Sequence, residues 1–312
     1  MKLLKIAAVF GAVVAASVGE SVYFYRRTMK RSKAKVERTM KMSGTDWAQY
    51  SGMLQTRKAY LMKQPHEEVN IRSKDNLKLH ANFFPVGDKK KVVIAFHGYT
   101  GEGVSNNIGI SDYYIKHGYS MLLPDARAHG QSEGEFVGFG CLDRWDAYSW
   151  IKWIIQECGE DVKILLHGTS MGGATVLMTS ALDLPKQVKG VVSDCAFTSP
   201  KEVFTHVLNS MYHLPAFPVI QLSDIMNRRN AGYGMDECNA AREIKKTRIP
   251  VLFIHGENDT FVPARMCHEI YENCIAPKKK LIIKGAAHAE SYYKDTETYE
   301  KALDEFTKGV MS

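Results

Sequence analysis

Six short apolar runs, VVIAF (92–96), SMLLP (120–124), VKILLH (162–167), VKGVVS (188–193), PVLFIH (250–255) and KLIIKG (280–285), punctuate the chain at intervals wide enough to hold helices. A strand covered on both faces reads as a continuous apolar run, whereas a half-exposed strand alternates. Residues 141–157 carry Leu142, Trp145, Tyr148 and Trp153 at helical spacing, and 171–182, 264–274 and 296–308 are helical in pattern as well. Strands alternating with helices in this way predict a largely parallel sheet wrapped by helices on both faces. Ahead of the runs, EVNIRS and LKLHANFF alternate apolar and polar positions around Asp75-Asn76. They predict an antiparallel hairpin at the leading edge, which brings the expected sheet to eight strands.

One stretch breaks the rhythm. More than fifty residues separate the runs at 188–193 and 250–255, and they include Phe204, Met211, Tyr212, Pro215, Phe217, Pro218 and Met226. A single crossover needs far fewer, so a small helical cap is expected at about 200–246. Its apolar residues suit either an apolar substrate or simple packing onto the core.

The net charge of +7 invites a nucleic-acid reading, but its location argues otherwise. Residues 1–38 hold nine basic and two acidic side chains, and nine minus two is seven, so the remainder of the chain is formally neutral. Nucleic acid is therefore not an expected partner. Residues 3–25 are mostly apolar, interrupted by Lys5 and Glu20, with Tyr23 and Tyr25 at the end. A membrane span needs about 20 such residues, and a basic flank favours anionic lipid. The expected organisation is a single-pass transmembrane helix and membrane anchor at 1–25, a basic, partly helical connector at 26–65, and the main α/β domain at 66–312. A cleaved signal peptide ending near Ala15-Ala16-Ser17 is the rival reading. Seven basic residues follow the apolar segment and two precede it, which places the large domain on the cytoplasmic face by the positive-inside rule; an outward-facing domain stays open. The six cysteines show no metal-ligand or CxxC spacing and read as reduced core residues.

The chemistry is concentrated at strand ends. Gly168-Thr169-Ser170-Met171-Gly172 matches GxSxG between a buried strand and a helix, the context in which such a serine is a nucleophile. A serine needs a base, and His288, just past the last strand, is the candidate. The imidazole needs an orienting carboxylate; Asp259 follows the preceding strand, with Asp194 as the competing acid. The N–H groups of Met171 and Tyr99 are the expected oxyanion donors. His97 reads as a brace for its loop, and more weakly as an alternative base. No cofactor or metal is required.

FHGYTG, PDARAHGQSEG, GTSMGG, FIHGENDTFVP and GAAHAES together resemble the α/β-hydrolases. The nearest resemblance is to a bacterial membrane-anchored esterase-like branch related to prolyl-oligopeptidase-type and dienelactone-hydrolase-type serine hydrolases, and it covers about 67–310. It implies the α/β-hydrolase fold, a serine triad and hydrolysis through an acyl-enzyme but does not fix the substrate; the cap residues are what suggest a small acyl substrate, apolar in character. A short-peptide peptidase, a thioesterase or acyltransferase, and a non-catalytic binding module stay open. The loop with Asp125, Arg127, His129 and Ser132 resembles a structural loop of the family, with Ala128 in place of its usual glycine, and reads as a brace beside the site.

Overall fold

The computed structural model describes residues 17–31 and 44–312. Eight strands form one sheet: β1 (Glu67–Arg72), β2 (Lys78–Phe84), β3 (Lys91–Phe96), β4 (Ser120–Pro124), β5 (Lys163–Thr169), β6 (Val188–Asp194), β7 (Val251–Gly256) and β8 (Lys278–Ile283). Their order is β1-β2-β4-β3-β5-β6-β7-β8. β2 is antiparallel to both β1 and β4, and every other pairing is parallel.

The apolar runs are continuous because the sheet is covered twice. Val92, Ile94, Ile164 and Leu166 enter one core with Trp150 and Ile154. Their neighbours Val93, Ala95 and Leu165 point to the opposite face, against Tyr114 and Leu303, as a two-residue strand period requires.

The helices expected from periodicity are present: α4 (Asp143–Cys158), α5 (Met171–Ser180), α9 (Ala264–Asn273) and, after the short α10 (Ser291–Lys294), α11 (Thr296–Val310). Between β6 and β7 the insertion folds into α6 (Pro200–Met211), α7 (Val219–Ala231) and the short α8 (Ala240–Glu243). One helix was not expected, α3 (Gly103–Lys116). Its two glycines and two asparagines are weak helix formers, and it is held by packing of Ile110, Tyr113 and Tyr114 into the core.

The N-terminal region departs most from expectation. Residues 1–16 of the expected anchor and 32–43 of the connector lie outside the described residues. Among the described residues no helix is long and apolar enough to cross a membrane. Residues 17–29 form helix α1, which lies against the insertion. Phe24 meets Phe204 edge-on at 5.7 Å, and the Ser223 hydroxyl donates to the Ser21 carbonyl at 3.4 Å. Tyr25, at the end of the apolar segment, is buried and stacked on Phe136; an aromatic flank looks alike whether lipid or protein covers it. In the connector, a 3-10 turn (Trp47–Tyr50) and α2 (Ser51–Leu61) pack on α3 and the His288 loop.

Candidate active site

Parallel strands bring their carboxyl ends to one rim, where Thr169 pairs with Asp194, Asp194 with Ile254, and Gly256 with Ile283. Ser170 follows β5 with φ 56° and ψ −113°, a left-handed φ that a non-glycine residue adopts only where the surroundings impose it. Close backbone approach imposes it here. A Cβ on Gly168 would strike the Gly172 carbonyl, and one on Gly172 would strike the Phe96 carbonyl. Glycine at both positions lets β5 turn at once into α5.

The three side chains singled out in the sequence converge. His288 Nε2 lies 2.9 Å from Ser170 Oγ, and His288 Nδ1 lies 2.7 Å from Asp259 Oδ2. All three residues are buried. Burial alone would raise the Asp259 pKa, but the imidazoles of His288 and His255 outweigh it and hold the carboxyl well below its ordinary value. Oδ1 also accepts the backbone N–H groups of Phe261 at 3.0 Å and Val262 at 2.8 Å. An ionised carboxylate only accepts, so Nδ1 of His288 carries the proton and Nε2 presents a lone pair to the serine hydroxyl.

Asp194 is otherwise engaged. Its two oxygens accept from the hydroxyls of Ser291 at 3.1 Å and Tyr299 at 3.2 Å, so Asp259 is the carboxylate on His288. One participant was missed in the sequence. Nε2 of the buried His255 lies 2.7 Å from the Val262 carbonyl and 3.3 Å from Asp259 Oδ2. A carbonyl only accepts, so Nε2–H points into the Asp259 turn and steadies it. A histidine four residues before a strand-end aspartate was the available signal.

Met171 opens α5, where a backbone N–H has no intrahelical acceptor. Tyr99 sits in the loop after β3. That loop is braced from several sides: Gly98 N–H donates to Asn106 Oδ1 at 3.1 Å, and Thr100 N–H to His129 Nε2 at 3.3 Å. His97 donates from Nδ1 to the Gly98 carbonyl at 2.7 Å and accepts Ala126 N–H on Nε2 at 2.9 Å. Both ring nitrogens are thus committed to the backbone. Asp125 accepts from the N–H groups of Gly103 and Gln131 and lies 2.9 Å from His80 Nδ1. Arg127 forks onto Asp146, with both bonds at 2.7 Å, and onto Asp75 at 2.8 and 3.0 Å. Ser132 donates to the Asp125 carbonyl at 2.6 Å.

A cavity of about 380 Å³ opens onto Ser170 and His288 and is walled by Trp47, Leu54, Ile110, Phe261, Tyr292 and Tyr293. Among the described residues, none from the insertion at 200–246 lines it. Of the two readings of the cap's apolar residues, packing onto the core is the one this cavity favours, and Trp47 and Leu54 of its wall come from the connector. The Tyr50 hydroxyl anchors that wall on Glu290 at 2.7 Å.

Ligand atoms of Cys195, Asp259 and His288 also lie within 4.8 Å of one another. Burial pushes the Cys195 thiol well above its ordinary pKa, while Asp259 and His288 bond to each other. That donor set suits a hydrogen-bonded relay better than a metal.

An eight-stranded sheet in this order, with a serine on a strained strand-to-helix turn, is the α/β-hydrolase fold. A family model described as the alpha/beta hydrolase fold matches residues 91–218. The YqkD protein of Bacillus subtilis (strain 168) is 29% identical over 70% of this chain and 72% of its own length. Lysophosphatidylserine lipase ABHD12 of Danio rerio is 26% identical over 72% of this chain and 60% of its own. Among solved structures, the Pyrococcus furiosus esterase Pf2001 superposes with a TM-score of 0.68 at 22% identity, covering 80% of this chain and 93% of that one.

Proposed function

We propose that the chain is a serine hydrolase of carboxylic esters, acting through an acyl-enzyme on Ser170. The observation that carries this reading is the unbroken relay from Ser170 Oγ through the His288 ring to Asp259, with steps of 2.9 and 2.7 Å. His288 Nε2 takes the hydroxyl proton as Oγ attacks the acyl carbonyl. Asp259 holds the ring in the required tautomer and stabilises the imidazolium. The N–H groups of Met171 and Tyr99 hold the developing oxyanion, each worth about 3–4 kcal/mol to the transition state. His288 then returns the proton to the leaving alcohol, and water repeats the sequence to free the acid.

The aromatic and aliphatic walls of the cavity favour an apolar acyl group, and its volume lies toward the small end of ligand sites. The names of two similar proteins, an esterase and a lysophosphatidylserine lipase, are consistent with ester chemistry. Apolar residues 3–16 and the basic residues that follow them favour attachment to a membrane, with the catalytic domain on its cytoplasmic face. The test is labelling with a fluorophosphonate probe. The adduct is expected on Ser170 and absent from Ser170→Ala; a folded wild-type protein that takes no label would remove the reading.

A further inference from the structure

The N-terminal helix meets the loop after β3 at the Tyr99 side chain. The Tyr99 hydroxyl donates to the carbonyl of Thr28 at 2.8 Å and approaches that of Arg27 at 3.3 Å. Both carbonyls lie in the last turn of α1, where intrahelical donors run out and outside partners are needed. The helix end is fixed in turn by Val137 N–H on the Met29 carbonyl and by Arg31 N–H on the Glu135 carbonyl, both at 2.8 Å.

A second path joins the same two elements. The Tyr99 ring packs on Phe139 at 5.1 Å, Phe139 on Phe204 at 4.9 Å, and Phe204 on Phe24 of α1 at 5.7 Å. The residues flanking Tyr99 are held through their backbone N–H groups by Asn106 and His129. The Tyr99 side chain is what ties the middle of this loop to α1.

We infer that Tyr99 is a positioning residue in two senses: its backbone N–H serves the oxyanion, and its hydroxyl, bonded to the end of α1, sets where that N–H points. This rests on the ester-hydrolase reading above. α1 is then part of the catalytic apparatus rather than a tether beside it. Loss of the hydroxyl leaves the backbone donor in place but free to shift, so the cost falls on the transition state and spares ground-state binding.

The experiment is Tyr99→Phe in the full-length protein, assayed with a p-nitrophenyl acyl ester. A trifluoromethyl ketone, which forms an oxyanion adduct on an active serine, serves as the second probe. The expected result is a roughly tenfold fall in kcat, with KM changed less than twofold and ketone affinity weakened by the same factor as kcat. An unchanged kcat and ketone affinity, or a change confined to KM, would overturn the inference. If Tyr99→Phe does not yield folded protein, Phe24→Ala loosens α1 from Phe204 without touching the loop and carries the same expected and overturning results. The wild type separates the two readings. A folded wild type with neither turnover nor ketone binding removes the hydrolase reading itself, whereas an active wild type matched by Tyr99→Phe removes only the positioning role.

Discussion

The hydroxyl of Thr45 donates to the backbone carbonyl of His288 at 2.8 Å, joining residues 243 positions apart. This bond holds the loop that carries the imidazole against the N-terminal segment. Thr45→Val keeps the shape and removes the donor, leaving a buried carbonyl unpaired. The expected cost is about 1–3 kcal/mol in urea unfolding, together with a several-fold loss of kcat as His288 gains freedom. Unchanged stability would mean that the contact contributes nothing.

Arg127 places one guanidinium between Asp146 in α4 and Asp75 in the β1–β2 turn. Arg127→Met strands the buried Asp146 carboxylate without its counter-charge. Breaking such a pair costs about 3–5 kcal/mol, and thermal melting should register it as a large fall in Tm. A shift of a degree or two would contradict the bracing role of this loop.

Asp259 supplies a pH prediction. Its carboxyl is depressed in the fold: burial works to raise its pKa, but the two imidazoles prevail. A depressed carboxyl stabilises the native state above its unfolded pKa of about 3.9, and that stability is lost as pH falls through the lower folded value. The carboxylate therefore keeps its charge on acidification through the ordinary carboxylate range. On the acid side, log kcat/KM against pH should rise with a slope of about one. A slope near two across roughly pH 4–6 would show Asp259 protonating as well.

Trp47 walls the cavity and packs edge-on against Tyr293 at 5.4 Å. Trp47→Ala enlarges the space beside the acyl group. Across a series of p-nitrophenyl esters, kcat/KM should move toward longer acyl chains and fall for short ones, by about tenfold at the extremes. An unaltered chain-length profile would place the acyl group elsewhere.

The parts of this molecule legible in the sequence are those with a local signature. β3 and β5 were readable because both faces are buried, and the leading hairpin because one face is partly exposed. Ser170, Asp259 and His288 were readable because each follows a strand, and parallel strands deliver their carboxyl ends to one rim. The helix Gly103–Lys116 was not, since its propensity is poor and its stability is tertiary. Nor was the role of Thr45, Trp47 and Leu54, which contact the site across long stretches of chain from a segment whose composition reads as a basic, partly helical connector. The apolar character of residues 17–25 was visible, but burial against protein and burial in lipid select the same residues, so the contact of α1 with Phe204 had no distinguishing mark.

Hydrolysis through an acyl-enzyme requires that Ser170 itself become acylated. Rapid mixing of wild-type protein with a p-nitrophenyl ester, followed by acid quench and mass spectrometry of the peptide containing Ser170, tests it most directly. A burst of p-nitrophenol and an acyl adduct on that serine are expected, both lost in Ser170→Ala. Equal turnover by Ser170→Ala, or an adduct on another residue, would contradict it.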